Sequence, residues 1–180
     1  MCLEYPGYGL SPGAACAAGV DRHVRATYEH VTVTLGVRPE RVVLFGASVG
    51  TGPAARLAAE VSAAGGRLGA LILQSPYTCV RDAASALVGP LAYLMFERWD
   101  NAAALAALPC PLLIVHGTAD DVIPFAQGVA LKDLRAARAL PCAFHAQQGA
   151  THNTYRAKED LSTPVACVPA CVRALMLMRC

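Results

Sequence analysis

Charge is scarce in this chain of 180 residues: 16% of it is Asp, Glu, Lys or Arg, and the net charge is +2. What charge there is lies scattered, with no basic run. That excludes the patches by which proteins grip nucleic acid or an anionic membrane surface. Long apolar runs are missing too. The greasiest stretch, residues 85–96, is shorter than the roughly 20 residues of a spanning helix and carries Gly89-Pro90 inside it. The opening residues MCLEYPGYGL have neither the basic nor the apolar region of a secretion signal. Among the 8 cysteines no Cys-x-x-Cys occurs, and no Cys/His group has zinc-ligand spacing. Neither a metal site nor a disulfide framework is expected. Cysteines such as Cys167 and Cys171, four apart and so on one face of a helix, read as free and buried, which suits a reducing, cytoplasmic compartment.

Apolar residues make up 55% of the chain, enough for one folded domain over residues 1–180. Val20, Val24, Tyr28, Val31 and Leu35 recur at helical spacing within residues 15–35, so one amphipathic helix is expected there. RVVLF (41–45) reads as a strand buried on both faces. Residues 51–64 read as a helix ended by Gly65-Gly66, and 69–76 as a second strand. A helical region over 79–108 is broken at Gly89-Pro90, with Tyr93, Phe96 and Trp99 as core or cleft wall. Residues 111–117 give a third strand, 125–139 a helix with Phe125, Val129 and Leu134 inward, and 141–149 a fourth strand. The tail from about 155 is expected to be helical, with Val165, Val168, Val172 and Leu175 in phase. This alternation implies an α/β fold, a mostly parallel sheet with helices on both faces. Function in such sheets gathers at the carboxyl ends of the strands.

The first strand runs into Gly46-Ala47-Ser48-Val49-Gly50, a match to G-x-S-x-G. A serine on a sharp strand-to-helix turn exposes its Oγ, and only small neighbours two residues away allow so tight a bend. The helix start and the backbone N–H of Val49 then face developing negative charge as an oxyanion hole. Nucleotide binding is the competing reading, since Gly50-Thr51-Gly52-Pro53-Ala54-Ala55 satisfies G-x-G-x-x-A. It starts about four residues past the strand, however, and the next strand ends in Gln74-Ser75 without the ribose-binding acid. A Walker A loop fails for want of a lysine.

HGTADDVIP (116–124) follows the third strand, and GATHNT (149–154) the fourth. An acid and then a histidine, each at a strand end and downstream of the serine, is the Ser…Asp…His order of a nucleophilic triad. His152 would take the serine proton, and Asp120 would hold its tautomer and stabilise the imidazolium. Asp120 or Asp121 as a plain helix cap, and His152 as a loop histidine, are the structural alternatives. His116 reads as structural. His23, His30 and His145 have no partner that the sequence identifies.

EYPGYGLSPG, LFGASVGTGPA, LILQSPYT, WDN, CPLLIVHGTADDVIP and GATHN stand in the order found in the α/β-hydrolases that resemble α/β-hydrolase-domain-containing protein 17. The resemblance covers nearly the whole chain. It implies an α/β-hydrolase fold with Ser48 as nucleophile, Asp120 as triad acid, Asp121 as its neighbour and His152 as base. It also implies a serine hydrolase working without metal or cofactor on an acyl thioester or ester, such as a palmitoylated protein or a lipid-like ester. Contact with a membrane would be peripheral. A carboxylesterase and a serine aminopeptidase are the alternatives among enzymes. Residues 77–108 would form a cap-like helical region.

This sequence departs from the family pattern in two places. Thr151 stands where the family usually has glycine. The chain also begins just before EYPGYG, so that about strands 5 to 8 of the fold are expected and the loop carrying a second oxyanion donor is not. Losing one such donor typically costs about 10²–10³ in turnover. An N-terminally truncated form of a longer hydrolase is therefore expected, with an apolar edge at RVVLF. An inactive remnant or an interaction module working through that edge is the alternative from outside enzymes.

Overall fold

The structure, a computed structural model, describes residues 1–94 and 98–154. The expected C-terminal helix, Cys167, Cys171 and Phe96 lie outside the described residues, as does the side chain of Tyr93. Helix α1 (Ala17–Glu29) begins at Cys16, whose Sγ accepts the Gly19 N–H at 3.3 Å. It does not run straight on to residue 35. His30–Thr34 widen into a π turn, and Thr27 and Thr32 send their hydroxyls back to the carbonyls of His23 and Tyr28. Such back-bonding competes with the regular ladder. Val24 and Tyr28 reach the core, while Leu35 is 56% exposed.

Four strands follow: β1 (Val43–Ala47), β2 (Ala70–Gln74), β3 (Leu112–Gly117) and β4 (Cys142–Gln147). They pair in parallel in the order β1-β2-β3-β4. Parallel strands need crossovers, and these are α2 (Thr51–Ala63), the segment holding α3 (Val80–Val88) and α4 (Asn101–Leu105), and α5 (Phe125–Ala136). Period-two alternation sorts the sheet's side chains. Leu71, Leu112 and Cys142 lie in register on one face, as do Leu73, Ile114 and Phe144, and this face packs with α1, α2, α4 and α5 into the main core. Ile72, Leu113 and Val115 form a smaller cluster with Ala143 on the other face. Among the described residues no helix contributes to that second cluster.

The first strand is not buried on both faces. Val43 is 51% and Phe45 50% exposed, because β1 is the edge of the described sheet and both side chains lie opposite the face that α2 covers. The break in the 79–108 region falls where expected, at Gly89 with φ +60°, and a 3-10 turn over Gly89–Leu94 follows. Beyond it α4 sinks fully buried Leu105 into the core, so this part of the segment is a core element.

The buried line of α5 is Gly128, Leu131 and Arg135. Of the expected Phe125, Val129 and Leu134, Leu134 packs half-buried against the core and Phe125 lies edge-on to His116 and Phe144, but none is fully buried. Arg135 explains the shift in phase. Its fully buried guanidinium donates to the carbonyls of Leu105, Leu108, Cys110 and Pro141, tying α4, β3 and β4 to α5. Carbonyl acceptors let an arginine sit where burial otherwise disfavours its charge, and burial does hold its pKa below the usual value.

Candidate active site

Ser48 stands where β1 ends and a 3-10 turn, Ser48–Gly50, leads into α2. Its φ of +52° is a left-handed conformation that side-chain-bearing residues avoid. The two flanking glycines show why the bend closes. A Cβ on Gly46 would come within 2.5 Å of the Gly50 carbonyl oxygen and 2.9 Å of the Ala54 Cβ. Real Cβ atoms do not approach backbone so closely, so strand and helix meet through the missing side chain. Tyr5, in the N-terminal segment, brings its hydroxyl against Gly50.

Asp120 sits in the loop after β3 with a fully buried carboxylate. Its Oδ1 accepts the N–H groups of Val122 at 3.0 Å and Ile123 at 2.8 Å, and its Oδ2 accepts the Ser75 hydroxyl at 2.7 Å. Burial alone would raise its pKa. Hydrogen bonds from His152, Ser75, Ile123 and Val122 outweigh burial and hold it below the ordinary carboxylate value, so the group stays anionic.

His152 belongs to the loop after β4. That loop is held against the Asp120 loop at Gly117, where any Cβ would run into the Ala150 carbonyl. Further ties are Ala119 N–H to Ala150 O at 3.1 Å and Gly149 N–H to the Thr118 hydroxyl at 2.9 Å. Asp121 also contributes, since its Oδ1 accepts the His152 backbone N–H at 3.1 Å. Thr151 bonds Thr154 through its N–H and its hydroxyl, and so steadies this loop.

The three predicted residues converge. His152 Nδ1 lies 2.9 and 3.0 Å from the two Asp120 oxygens, and its Nε2 lies 2.9 Å from Ser48 Oγ. With the carboxylate ionised, Nδ1 carries the proton and donates it to Asp120. That leaves Nε2 as the acceptor for the serine hydroxyl. Val49 opens the turn beside Ser48, and N–H groups in the first turn of a helix lack intrahelical acceptors.

His116 is fully buried, as its structural reading requires. Its Nε2 donates to the Ile123 carbonyl at 3.0 Å and lies 3.5 Å from Asp120 Oδ2. Burial pushes its pKa down, against the pull of Ile123 and Asp120. Neutral His116 therefore fastens the stretch whose N–H groups cradle Asp120.

Sequence reasoning missed Ser75, Thr51, Tyr77 and Asn101. Ser75 has a φ of +46° and is 1% exposed. Thr51 Oγ1 donates to the Ser48 carbonyl at 2.7 Å, Tyr77 Oη donates to the Val49 carbonyl at 3.2 Å, and Asn101 bridges Thr51 and Tyr77. Their signal was place alone: Ser75 lies just past a strand, Thr51 just past G-x-S-x-G, and all four fall in the segments that carry the resemblance, which gave them no role. Among the described residues no group of three or more His, Cys, Asp or Glu side chains is arranged to hold a metal ion. No described helix is long and apolar enough to cross a membrane.

No protein-family model matches the chain. It is 34% identical over 128 residues to alpha/beta hydrolase domain-containing protein 17B of Homo sapiens, covering 71% of the chain and 42% of that protein. It is 31% identical over 150 residues to the 17C protein of Xenopus tropicalis, covering 83% of the chain and 45% of that protein. The chain thus spans rather under half the length of these curated relatives. An alpha-beta hydrolase from Vibrio vulnificus superposes with a TM-score of 0.73 at 20% identity, covering 94% of the chain and 61% of its own. A putative alpha/beta hydrolase from Agrobacterium tumefaciens gives 0.63 at 18% identity, covering 95% and 67%.

Proposed function

Because this chain has the α/β-hydrolase fold and resembles alpha/beta hydrolase domain-containing protein 17, we propose that it is a serine hydrolase acting through Ser48, His152 and Asp120. The observation that carries this reading is the unbroken line from Asp120 through His152 to Ser48, with a buried anion at one end and a hydroxyl on a strained turn at the other. His152 Nε2 removes the Ser48 proton as Oγ attacks an acyl carbonyl. Asp120 steadies the imidazolium, and the Val49 N–H meets the oxygen as it becomes negative. His152 then gives its proton to the departing thiol or alcohol. Water, activated by the same histidine, finally releases the acid and frees Ser48.

The finer proposal is a long-chain acyl thioester on a protein cysteine as substrate, in the cytoplasm and at membrane surfaces, with α3 and the turn over Gly89–Leu94 as a cap over the acyl chain. Mixing the chain with a p-nitrophenyl ester and quenching early tests the mechanism by intact mass. An acyl adduct mapped to Ser48 and absent from Ser48→Ala supports it, and turnover of an acyl thioester with release of free thiol supports the finer reading. Turnover without an adduct, or equal turnover in Ser48→Ala, contradicts the mechanism.

A second reading rests on β1. Its exposed Val43 and Phe45 on an edge strand suit an interaction module that adds a partner strand. A folded chain that neither acylates nor turns over ester would favour it.

A further inference from the structure

Ser48, Thr51, Tyr77 and Asn101 are joined by hydrogen bonds that no acid–base role uses. Thr51, the first residue of α2, is fully buried and donates its hydroxyl proton to the Ser48 carbonyl at 2.7 Å. A threonine at a helix start often bonds backward in this way, and alone the contact would mean little. Asn101 changes its weight. This residue comes from a different part of the chain, at the start of α4, and is 1% exposed. Its Nδ2 donates to Thr51 Oγ1 at 3.1 Å and to the Tyr77 carbonyl at 2.9 Å. Both amide protons are thereby committed. The flipped amide would set its oxygen against the Tyr77 carbonyl, so the orientation is fixed by what surrounds it. With the Thr51 oxygen already accepting from Asn101, its single proton is aimed at Ser48.

The Ser48 carbonyl and the Val49 N–H belong to one peptide group. That group is planar, and in the trans form the two bonds point in opposite directions. Holding the carbonyl therefore sets where the N–H points. The next peptide is held as well, because the Tyr77 hydroxyl donates to the Val49 carbonyl at 3.2 Å. The strained φ of Ser48 makes such anchors necessary, since a left-handed residue persists only where its surroundings insist on it.

We propose that Asn101 and Thr51 are positioning residues which, by gripping the Ser48 carbonyl, aim the Val49 N–H at the oxygen of the reacting acyl group. The inference rests on the serine-hydrolase reading and deepens it. Asn101 and Thr51 touch neither substrate nor the transferred protons. They keep a hydrogen-bond donor in place before the reaction begins, so that no reorganisation is needed when charge develops.

The test is the second-order rate at which a fluorophosphonate inactivates the full 180-residue chain across pH 6 to 9. The variants are Thr51→Val, Thr51→Ser and Asn101→Asp, beside Ser48→Ala, with a urea unfolding curve for each. The phosphoryl oxygen of the probe occupies the place of the acyl oxygen, so the rate reports the aimed donor. Thr51→Val should lower the plateau rate about tenfold, less than the about 10²–10³ lost when a donor is removed outright. Its pH midpoint should stay unmoved, because the proton relay is intact. Thr51→Ser should restore the rate to within about twofold, and Asn101→Asp should behave like Thr51→Val. A Thr51→Val chain that is folded and as reactive as wild type overturns the inference. So does a loss that comes with a shifted pH midpoint, or one that Thr51→Ser shares. Wild type reacting no faster than Ser48→Ala would instead remove the serine-hydrolase reading, and this inference with it.

Discussion

Ser75 donates its hydroxyl to Asp120 Oδ2 at 2.7 Å from a backbone held at φ +46°, at the carboxyl end of the strand beside β3. A second strained residue thus supports the acid, as strained Ser48 presents the nucleophile. Ser75→Ala removes one of the bonds that keep Asp120 ionised, so the carboxyl pKa should rise toward its ordinary value. The acid limb of the pH–rate profile should then move to higher pH, with about a tenfold loss of rate in the acid range. A pH–rate profile for p-nitrophenyl ester hydrolysis checks this, and an unmoved acid limb counts against it.

The same group makes stability depend on pH. A carboxyl whose pKa is lowered by folding adds stability at pH above its unfolded value, and that stability is lost as pH falls through the folded value. The wild-type chain should therefore lose stability below about pH 4, and Asp120→Asn should flatten that loss. Urea midpoints between pH 3 and 6 measure it.

Asp120→Asn should also cut turnover by about 10³–10⁴, because an amide no longer selects the tautomer with a proton on Nδ1. Binding should survive, so KM should change little while kcat falls. A variant that keeps more than a tenth of wild-type kcat would show that His152 needs no such partner.

Gly46→Ala places a methyl within 2.5 Å of the Gly50 carbonyl and 2.9 Å of the Ala54 Cβ. Neither neighbour can swing aside, so the turn must open. The expected cost is about 1–3 kcal/mol in a urea titration, with loss of reactivity at Ser48.

Arg135→Met should leave the carbonyls of Leu105, Leu108 and Cys110 in the core without this donor, while that of Pro141 keeps the Leu112 N–H. Each orphaned group costs about 1–3 kcal/mol, and their sum rivals the whole stability of a domain this size. The variant is expected in the insoluble fraction or to melt far below wild type. Arg135→Lys should not rescue it, since an ammonium cannot match the planar fork.

The parts of the fold that were legible in the sequence are those where one signal dominated. Val24 and Tyr28 follow the helical stripe, Leu112–Val115 the buried run, and Gly46 and Gly50 the tight turn. Misreadings arose where a tertiary partner decided. Phe45 looks like a core strand residue, but its exposure depends on which neighbours β1 has. Leu134 looks more buried than Arg135, but carbonyls from three other segments reverse the order. At the site, Ser48, Asp120 and His152 could be named because strand ends and chain order constrain them. Ser75 and Asn101 could not, since a serine just past a strand or an asparagine at a helix start carries no mark of what its side chain will meet.

Labelling of the 180-residue chain by a fluorophosphonate, beside Ser48→Ala and a heat-denatured control, tests the central claim most directly. A triad working through Ser48 gives rapid labelling of the folded chain that disappears on denaturation and in Ser48→Ala. A folded chain that stays unlabelled, or one that labels equally without Ser48, would contradict it.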